Sequence, residues 1–227
     1  MTYAIKEIFY TLQGEGTQAG RAAVFVRFIG CNLWSGREAD READAARSGA
    51  RCPMWCDTDF TPSAPLVGKR VPAEEVVSRV RIAAADNTGA PVRVVFTGGE
   101  PMLQLDAELL GLFRVKLPKY VLTVETNGTV KPKPGVLELL DVVCVSPKLP
   151  DADTVLRTGT ELKMVVPDYQ PAAYAKLADG FTHLFVQGQA MPTGGVVDAS
   201  MQSAAALVMA DPRLRLSVQV HKVIGLR

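Results

Sequence analysis

Three of the chain's four cysteines lie close together in the N-terminal quarter of the sequence, at Cys31, Cys52 and Cys56. Three thiolates can hold three irons of a cubane 4Fe-4S cluster and leave the fourth iron open to a ligand. The alternative is a zinc site, although structural zinc usually takes four protein ligands and both histidines, His183 and His221, are distant in sequence. The cysteines alone leave cluster and zinc open. Such clustered thiols nevertheless predict a metal centre in this segment.

A second candidate site is the turn from Thr97 to Pro101, which reads Thr-Gly-Gly-Glu-Pro between a strand-like and a helix-like run. Two glycines expose backbone amides and carbonyls to a ligand, and the Glu100 carboxylate can accept hydrogen bonds from an ammonium group. The amino-acid end of S-adenosylmethionine offers such an ammonium. Glycines at this position can equally serve backbone geometry alone, so the turn by itself leaves both interpretations open.

Three further side chains have an alternative, structural use. Arg27 is the one charge in the apolar run 22–30; its guanidinium can clamp a carboxylate, or it can reach solvent or a structural acid. Thr58, in Asp-Thr-Asp beside Cys56, suits local turn bonds but also offers magnesium a hard oxygen. Cys144 lies in the apolar run Asp-Val-Val-Cys-Val, where a cysteine usually fills the core.

The elements that would position these residues alternate between helix and strand. Helices are predicted at 73–85, 103–115, 172–177 and 204–209, and strands at 22–30, 92–96, 120–124, 141–145, 161–166, 183–187 and 214–220. Alternation of this kind predicts an α/β fold with a parallel sheet, helices on its outer face and ligands at the carboxyl ends of its strands. Thr97, Glu125, Ser146 and Gln187 each end or follow a predicted strand.

Composition narrows the class of protein. The 227 residues suit one domain, 1–227, and 25 basic against 24 acidic residues give a net charge of only +1, which disfavours nucleic acid or an anionic membrane as partner. No run approaches the roughly 18 apolar residues of a membrane span, and no export signal is evident, so we expect a cytoplasmic protein with reduced cysteines. The segment 36–51, with four acids and three arginines between Arg37 and Arg47, predicts a short solvated helix inserted in the fold.

Clustered cysteines followed by a strand and Gly-Gly-Glu resemble the radical S-adenosylmethionine superfamily. Further motifs are similar, in the same order, to the 7-carboxy-7-deazaguanine synthases. These motifs are 9–16 (Phe-Tyr-Thr-Leu-Gln-Gly-Glu-Gly), 25–27, 30–33, 56–58, 97–101, 125–128, 146–148 and 219–222. The resemblance spans most of the chain apart from the charged segment before Cys52.

The resemblance implies a partial six-stranded parallel β/α barrel of the radical S-adenosylmethionine type. It also implies a reaction, the conversion of 6-carboxy-5,6,7,8-tetrahydropterin to 7-carboxy-7-deazaguanine with ring contraction and loss of ammonia. Such a reaction belongs to queuosine or another deazapurine pathway. The cofactors would be a 4Fe-4S cluster, S-adenosylmethionine that is reused, and Mg²⁺. An electron donor such as flavodoxin or ferredoxin and a second copy of the chain, forming a homodimer, would be the protein partners.

Site residues follow from the same resemblance. Cys31, Cys52 and Cys56 would hold the cluster and Thr58 the Mg²⁺. Substrate would be bound by Leu12, Gln13, Gly14, Arg27, Thr97 and the terminal carboxylate of Arg227. S-adenosylmethionine would be bound by Gly99, Glu100, Ser146, Pro147, Lys148, Gln187, Gly188, Gln189 and Ala190. The chain has three residues between Cys52 and Cys56, where the family has two.

Two rival functions use the same residues. A radical activase that forms a glycyl radical on a partner protein would share the cluster and the Gly-Gly-Glu turn, but it needs a macromolecular docking face. The near-neutral charge and modest length favour a small substrate instead. A non-enzymatic, zinc-stabilised binding module would use the cysteines and leave the Gly-Gly-Glu turn unexplained.

Overall fold

The computed structural model describes residues 1–62, 70–84, 92–189 and 199–226. Ala190 and Arg227 therefore lie outside the described residues. In the described part of the chain the strands are β1 (Thr2–Tyr3), β2 (Ile5–Gln13), β3 (Arg21–Phe28), β4 (Val71–Pro72), β5 (Arg93–Gly98), β6 (Val121–Thr126), β7 (Val142–Val145), β8 (Gly159–Val166), β9 (Phe181–Gly188) and β10 (Leu214–Ser217). The α-helices are α1 (Arg41–Ser48), α2 (Ala73–Ala83), α3 (Ala107–Lys116), α4 (Ala175–Ala178), α5 (Ala199–Ala210) and α6 (Val220–Val223).

One sheet carries the fold, with its strands in the order β10-β9-β8-β7-β6-β5-β3-β2. All neighbours from β3 to β10 pair in parallel, whereas β2 pairs with β3 antiparallel. Because the order of the parallel strands never reverses, successive right-handed crossovers stay on one face of the sheet, as in a barrel. The predicted α/β partial barrel is thus confirmed. Its six parallel strands are β3 and β5–β9, and β10 adds a seventh.

Successive side chains of the parallel strands point alternately to an apolar outer face and to an inner face that is also largely buried but carries several polar residues. The outer face packs against the helices, with Val94 and Phe96 of β5 in one core with Leu109 and Phe113 of α3. The rings of Phe96 and Phe113 lie 5.3 Å apart, edge to face. Since successive side chains point to opposite faces, the neighbouring positions face the barrel interior. Those interior positions carry Arg27, Thr97, Glu125, Lys163 and Gln187.

Three local elements differ from expectation. Strand β2 was not predicted. The helix expected at 103–115 begins only at Ala107, because the Asp106 carboxylate accepts a hydrogen bond from the Leu109 N–H (3.0 Å) and caps it there. The strand expected at 214–220 ends at Ser217, and the Val220 N–H donates instead to the Gly14 carbonyl (3.1 Å). Within the described ranges, the helices are all too short or too polar to cross a bilayer.

The loop between β2 and β3, residues 14–20, folds into the barrel interior, and we call it the hairpin loop. Its Thr17 N–H donates to Glu161 Oε1 of β8 (3.1 Å), and Glu15 forms an ion pair with Lys163 of the same strand. Gly16 has a φ of +66°, and a Cβ there would lie 2.2 Å from Glu161 Oε2. The positive φ favours glycine at this position, and Glu161 would have to move to admit a side chain. The hairpin loop therefore bridges the two sides of the open barrel.

Candidate functional site

The carboxyl ends of the parallel strands surround a cavity of about 200 Å³, which we call the cysteine cavity. Cys31 follows β3, Gly99 follows β5, and Ser146 follows β7, so three turns at one edge of the sheet meet here. Its lining comprises Glu15, Cys31, Leu33, Trp34, Cys52, Trp55, Cys56, Asp57, Thr58, Phe60, Thr97, Gly98, Gly99, Glu125, Thr126, Asn127, Ser146, Lys148, Lys163, Val165, Gln187 and Gln219. The three clustered cysteines thus share one space with the Gly-Gly turn.

The three thiols are free and mostly shielded from water. Burial raises the pKa of the Cys31, Cys52 and Cys56 thiols, that of Cys52 to about 12 despite the nearby Lys148 ammonium. They therefore need a positively charged group among them to become thiolates. Such a group is what a metal centre supplies.

A zinc ion and an iron-sulfur cluster place their cysteine ligands differently. Sulfur ligands of a single zinc lie about 3.8 Å apart, as tetrahedral geometry with 2.3 Å bonds requires. Within residues 1–62, 70–84, 92–189 and 199–226, no three His, Cys, Asp or Glu side chains are grouped to hold one metal ion. A cubane cluster places each thiolate on a different iron and so spreads the sulfurs further apart. Cys31, Cys52 and Cys56 line one cavity together with Lys148 and so provide the three thiols that such a cluster takes.

The Gly98–Gly99 turn lies flush against the loop that bears Cys31. A Cβ on Gly98 would lie 2.3 Å from the Phe28 carbonyl oxygen, and one on Gly99 2.3 Å from that of Gly30. The Gly98 φ of +148° is also one that side-chain-bearing residues rarely adopt. Both glycines are thus required by close approach, and they leave backbone exposed to the cavity.

Glu100 has a different place from the one we expected. Its carboxylate is fully buried and accepts hydrogen bonds from the Met102 N–H (2.9 Å), the Thr126 hydroxyl (2.7 Å) and the Asn127 N–H (2.7 Å). Burial raises the pKa of Glu100, and these three bonds oppose the rise. The carboxylate ties the turn after β5 to the turn after β6 and does not line the cavity.

A second cavity, of about 430 Å³, adjoins the first and contains Arg27; we call it the arginine cavity. Its lining comprises Glu7, Gln13, Glu15, Phe25, Arg27, Asp57, Thr58, Asp59, Thr97, Glu125, Gln219, His221, Lys222 and Leu226. Six residues line both cavities and form their common wall, namely Glu15, Asp57, Thr58, Thr97, Glu125 and Gln219. A ligand in one cavity can therefore touch a ligand in the other.

Arg27 is held in place by its neighbours on β2. Its Nε donates to Glu7 Oε1 (2.8 Å), and its guanidinium lies 5.8 Å from the centre of the Phe9 ring. The two side chains of the ion pair are less than one-fifth exposed. The pairing uses one edge of a guanidinium that has five N–H donors, so the orientation of the whole group is fixed.

A buried charge network connects the hairpin loop to the common wall. Lys163 pairs with Glu15 and lies 3.8 Å from Glu125, while Gln219 and Gln187 donate to Glu15 Oε1 (2.7 and 3.1 Å). Burial alone would raise the pKa of Glu15, but the Lys163 ammonium outweighs it and holds that pKa well below 4.5. Burial would likewise lower the pKa of Lys163, and Glu125 and Glu15 reverse this. Both partners are therefore ionised.

The other expected residues divide into two groups. Gln13 lines the arginine cavity and donates to Glu125 Oε1 (2.9 Å). Outside both linings lie Leu12, Gly14, Pro147, Gly188 and Gln189. The polar lining residues that the sequence did not assign to the site include Glu7, Asp57, Asp59, Glu125, Thr126, Asn127, Lys163, Gln219, His221 and Lys222. The sequence pattern could have indicated Lys163, because it is the one cation in the apolar run 162–166, just as Arg27 is the one cation in the run 22–30.

Comparisons with known proteins agree with this geometry, although no protein-family model matches the chain. The chain is 45% identical over 229 residues to the 7-carboxy-7-deazaguanine synthase of Bordetella pertussis and 44% identical over 229 residues to that of Caulobacter vibrioides, with 100% of each chain covered. Its fold is similar to the crystal structure of QueE from Escherichia coli, with a TM-score of 0.64, 23% identity, and 97% of this chain and 95% of that chain covered. Since full-length relatives at this level of identity share a family, the chain belongs to the 7-carboxy-7-deazaguanine synthase family.

Proposed function

We propose that the chain is a radical S-adenosylmethionine lyase that converts 6-carboxy-5,6,7,8-tetrahydropterin to 7-carboxy-7-deazaguanine with ring contraction and loss of ammonia. One observation carries the proposal at the site: the cavity lined by Cys31, Cys52 and Cys56 shares a wall with the cavity that contains Arg27. A redox cofactor and a small carboxylated substrate can then lie side by side.

The residues of the cysteine cavity suit the cluster and S-adenosylmethionine. When bound, these groups supply electron transfer to the sulfonium and a 5′-deoxyadenosyl radical. We assign the three cysteines as cluster ligands, and the Gly99 backbone, Ser146, Lys148 and Gln187 as the binding surface for S-adenosylmethionine. Glu100 stabilises that surface from its buried side by hydrogen bonding to the turns after β5 and β6. Pro147, Gly188, Gln189 and Ala190 remain family-based assignments.

Lys148 has a specific electrostatic use. Its Nζ donates to Ser146 Oγ (2.6 Å) and lies 5.3 Å from the centre of the Tyr169 ring. Burial lowers the pKa of Lys148, and the nearby cysteines Cys52 and Cys56 oppose this by favouring its charged form. An ammonium here offsets the negative charge that accumulates when the thiols ionise.

The arginine cavity suits a pterin that bears a carboxylate. The Arg27 guanidinium, oriented by Glu7, can clamp the substrate carboxylate with two hydrogen bonds. The Glu15 and Glu125 side chains offer acceptor oxygens to the N–H groups along a pterin edge, and Thr97 lies between the two cavities. Leu12, Gly14 and Arg227 stay family-based assignments for substrate binding.

Apolar side chains exclude water from the space where the radical forms. Leu33, Trp34 and Phe60 line the cysteine cavity, and each is at most 5% exposed. The Trp34 and Phe60 rings meet edge to face at 5.4 Å. A dry wall of this kind limits side reactions of a reactive intermediate.

We also propose that the Thr58 hydroxyl binds Mg²⁺, because Thr58 lies on the common wall and Mg²⁺ keeps most of its waters and needs few protein donors. In Thr58→Val we expect the dependence of the rate on Mg²⁺ concentration to disappear, because the methyl group cannot coordinate. Steady-state rates measured over a Mg²⁺ titration test this.

The control is Thr58→Ser, which keeps the hydroxyl and should keep the Mg²⁺ response. Thr58 also donates to Cys56, so iron content is measured in both variants to show that the cluster is intact. A Thr58→Val enzyme that retains the full Mg²⁺ response would remove Thr58 as the ligand.

The remaining partners are proposed on family grounds. A flavodoxin or ferredoxin would deliver electrons, two copies of the chain would form a homodimer, and the enzyme would work in the cytoplasm within queuosine or another deazapurine pathway. A radical activase is the less favoured alternative, because the two adjoining cavities are sized for small molecules. The zinc module is less favoured because the full-length relatives are named as 7-carboxy-7-deazaguanine synthases.

The decisive experiment reconstitutes the protein with iron and sulfide under anaerobic conditions and supplies S-adenosylmethionine, a reductant, Mg²⁺ and 6-carboxy-5,6,7,8-tetrahydropterin. We expect many turnovers of 7-carboxy-7-deazaguanine per enzyme without matching consumption of S-adenosylmethionine, as detected by mass spectrometry. If 5′-deoxyadenosine forms without deazaguanine, the substrate assignment fails. If neither forms although the cluster is intact, the radical mechanism itself fails.

A further inference from the structure

Arg41, in the charged segment 36–51, is unusually buried for a surface-helix arginine. Its side chain is 20% exposed, whereas those of Arg37 and Arg47 are 81% and 59% exposed. The guanidinium of Arg41 lies 4.3 Å from the centre of the Trp34 ring, a cation–π distance. Trp34 is itself 5% exposed and lines the cysteine cavity. The first residue of α1 therefore points toward the site, not toward solvent.

Arg41 contacts the backbone of the segment that carries two cysteines, residues 52–56, which we call the cluster loop. Its Nη1 donates to the Pro53 carbonyl, and its Nη2 donates to the Cys56 carbonyl (3.1 Å). Glu38 accepts from Nε and Nη2 of Arg41 (2.6 and 2.7 Å) and fixes the plane of the guanidinium. The Arg41 guanidinium thus contacts the cluster loop near its start, at Pro53, and at its end, at Cys56.

The cluster loop needs such support because of its length. Residues Cys52–Met54 form a 3-10 turn, and the N–H groups of Trp55 and Cys56 both donate to the Cys52 carbonyl (3.1 and 2.8 Å). This compact turn takes up the third residue between the cysteines. It leaves the Pro53 and Cys56 carbonyls facing away from that internal hydrogen bonding, and Arg41 supplies the donors they require.

The opposite side of the cluster loop is anchored to the segment after β8. The Cys52 N–H donates to the Tyr169 hydroxyl (3.1 Å), and Trp55 Nε1 donates to Asp168 Oδ2 (2.6 Å). The loop is therefore gripped between Asp168 and Tyr169 on the sheet side and Arg41 on the helix side. Without Arg41 the cluster loop would keep its contacts with Asp168 and Tyr169 and lose those on the helix side.

We propose that Arg41 is a positioning residue that holds Cys52 and Cys56 in place to bind the cluster, so that the charged segment is part of the metal site. The inference rests on the proposed function, since it presumes that these cysteines ligate iron. The cations and acids of α1 that do not touch the loop, such as Arg47 and its partner Asp44, take no part in this role.

The test uses the full chain reconstituted anaerobically, with iron and sulfide content, the electron paramagnetic resonance spectrum of the reduced cluster, and the rate of iron loss to EDTA as readouts. For Arg41→Ala we expect iron loss to be about tenfold faster than in wild type, because two charge-assisted hydrogen bonds are gone. Arg41→Lys keeps the charge but lacks the planar guanidinium with its several donors. It should lose iron at a rate between those of wild type and Arg41→Ala. Arg47→Ala, on the same helix, should match wild type.

The melting temperature of the cluster-free protein separates positioning from folding, and in Arg41→Ala we expect it to fall by about 2–4 °C, as a loss of about 1 kcal/mol produces in a chain of this size. An Arg41→Ala protein that keeps its iron as long as wild type, with the same spectrum, overturns the inference and leaves the proposed function intact. A wild-type protein that binds no cluster overturns the proposed function and this inference together. Should Arg41→Ala not fold, Arg41→Lys compared with Arg47→Lys gives the same two outcomes.

Discussion

Cys31→Ala should abolish catalysis, with a fall of at least about a thousandfold, to the background of the assay. The reason is that three cysteines are the fewest that hold a cubane cluster with one open iron, and Cys31 packs directly against Gly99 of the other predicted cofactor surface. Product formation by mass spectrometry and iron content per chain measure the loss. Both should disappear together, because the cluster and not the fold is removed.

Cys144→Ala is the matched control for this substitution. Cys144 is 4% exposed within the wholly buried strand β7, and burial raises its thiol pKa well above 9.0. Its loss should cost about 1 kcal/mol of folding free energy, as a small cavity does, and leave iron content and turnover intact. Iron that stays bound in Cys31→Ala, or leaves in Cys144→Ala, would show that the cluster ligands are assigned wrongly.

Lys163→Met should cost about 3–5 kcal/mol of the free energy of unfolding at pH 7, because it leaves the mostly buried Glu15 carboxylate, and the less buried Glu125 carboxylate beside it, without their cation. The Lys163 side chain is only 7% exposed, so bulk water screens the charges of this pair weakly. Urea unfolding of the cluster-free protein measures the change. Lys222→Met is the control, since the Lys222–Asp57 pair is about two-fifths exposed and should contribute about 1 kcal/mol or less.

The pH dependence provides a second readout of the same variant. In wild type the pKa of Glu15 is lowered, so its contribution to stability is complete above the unfolded value of 4.5 and is lost as the pH falls below it. In Lys163→Met burial would no longer be opposed by the ammonium and should raise the pKa of Glu15 in the folded state, so the variant should gain stability as the pH falls from 7 to 5. A difference between the two proteins that is the same at pH 7 and pH 5 would contradict this electrostatic account.

The fold was readable from sequence because its strands are buried on both faces. Apolar runs such as 92–96 and 141–145 alternate with helical patterns, and this pattern has few solutions other than a parallel sheet. The sequence pattern does not predict strand β2, because β2 is an edge strand whose inner face lines the arginine cavity with Glu7 and Gln13. Its polar residues interrupt the pattern on which strand prediction relies.

Site residues that end strands could be predicted from the sequence. Site residues that depend on contacts between distant parts of the chain could not. Thr97, Ser146 and Gln187 reach the cysteine cavity because the carboxyl ends of parallel strands share an edge. Glu15 meets Lys163 and Gln219 across 148 and 204 residues of sequence, and no spacing rule connects such positions. Glu100 and Arg41 show a further limit, since residue type does not tell which way a side chain turns.

Completion of the arginine cavity is a late event in synthesis, because the hairpin loop bonds to residues near the C-terminus. A nascent chain folds from its N-terminus as it leaves the ribosome, so β2, β3 and all three cysteines are available long before Gln219 and His221. Until those residues emerge, Glu15 lacks the Gln219 donor and the Gly14 carbonyl lacks the Val220 N–H. A polypeptide that stalls before β10 therefore contains Cys31, Cys52 and Cys56 but lacks the Gln219 and His221 side chains that complete the wall of the arginine cavity.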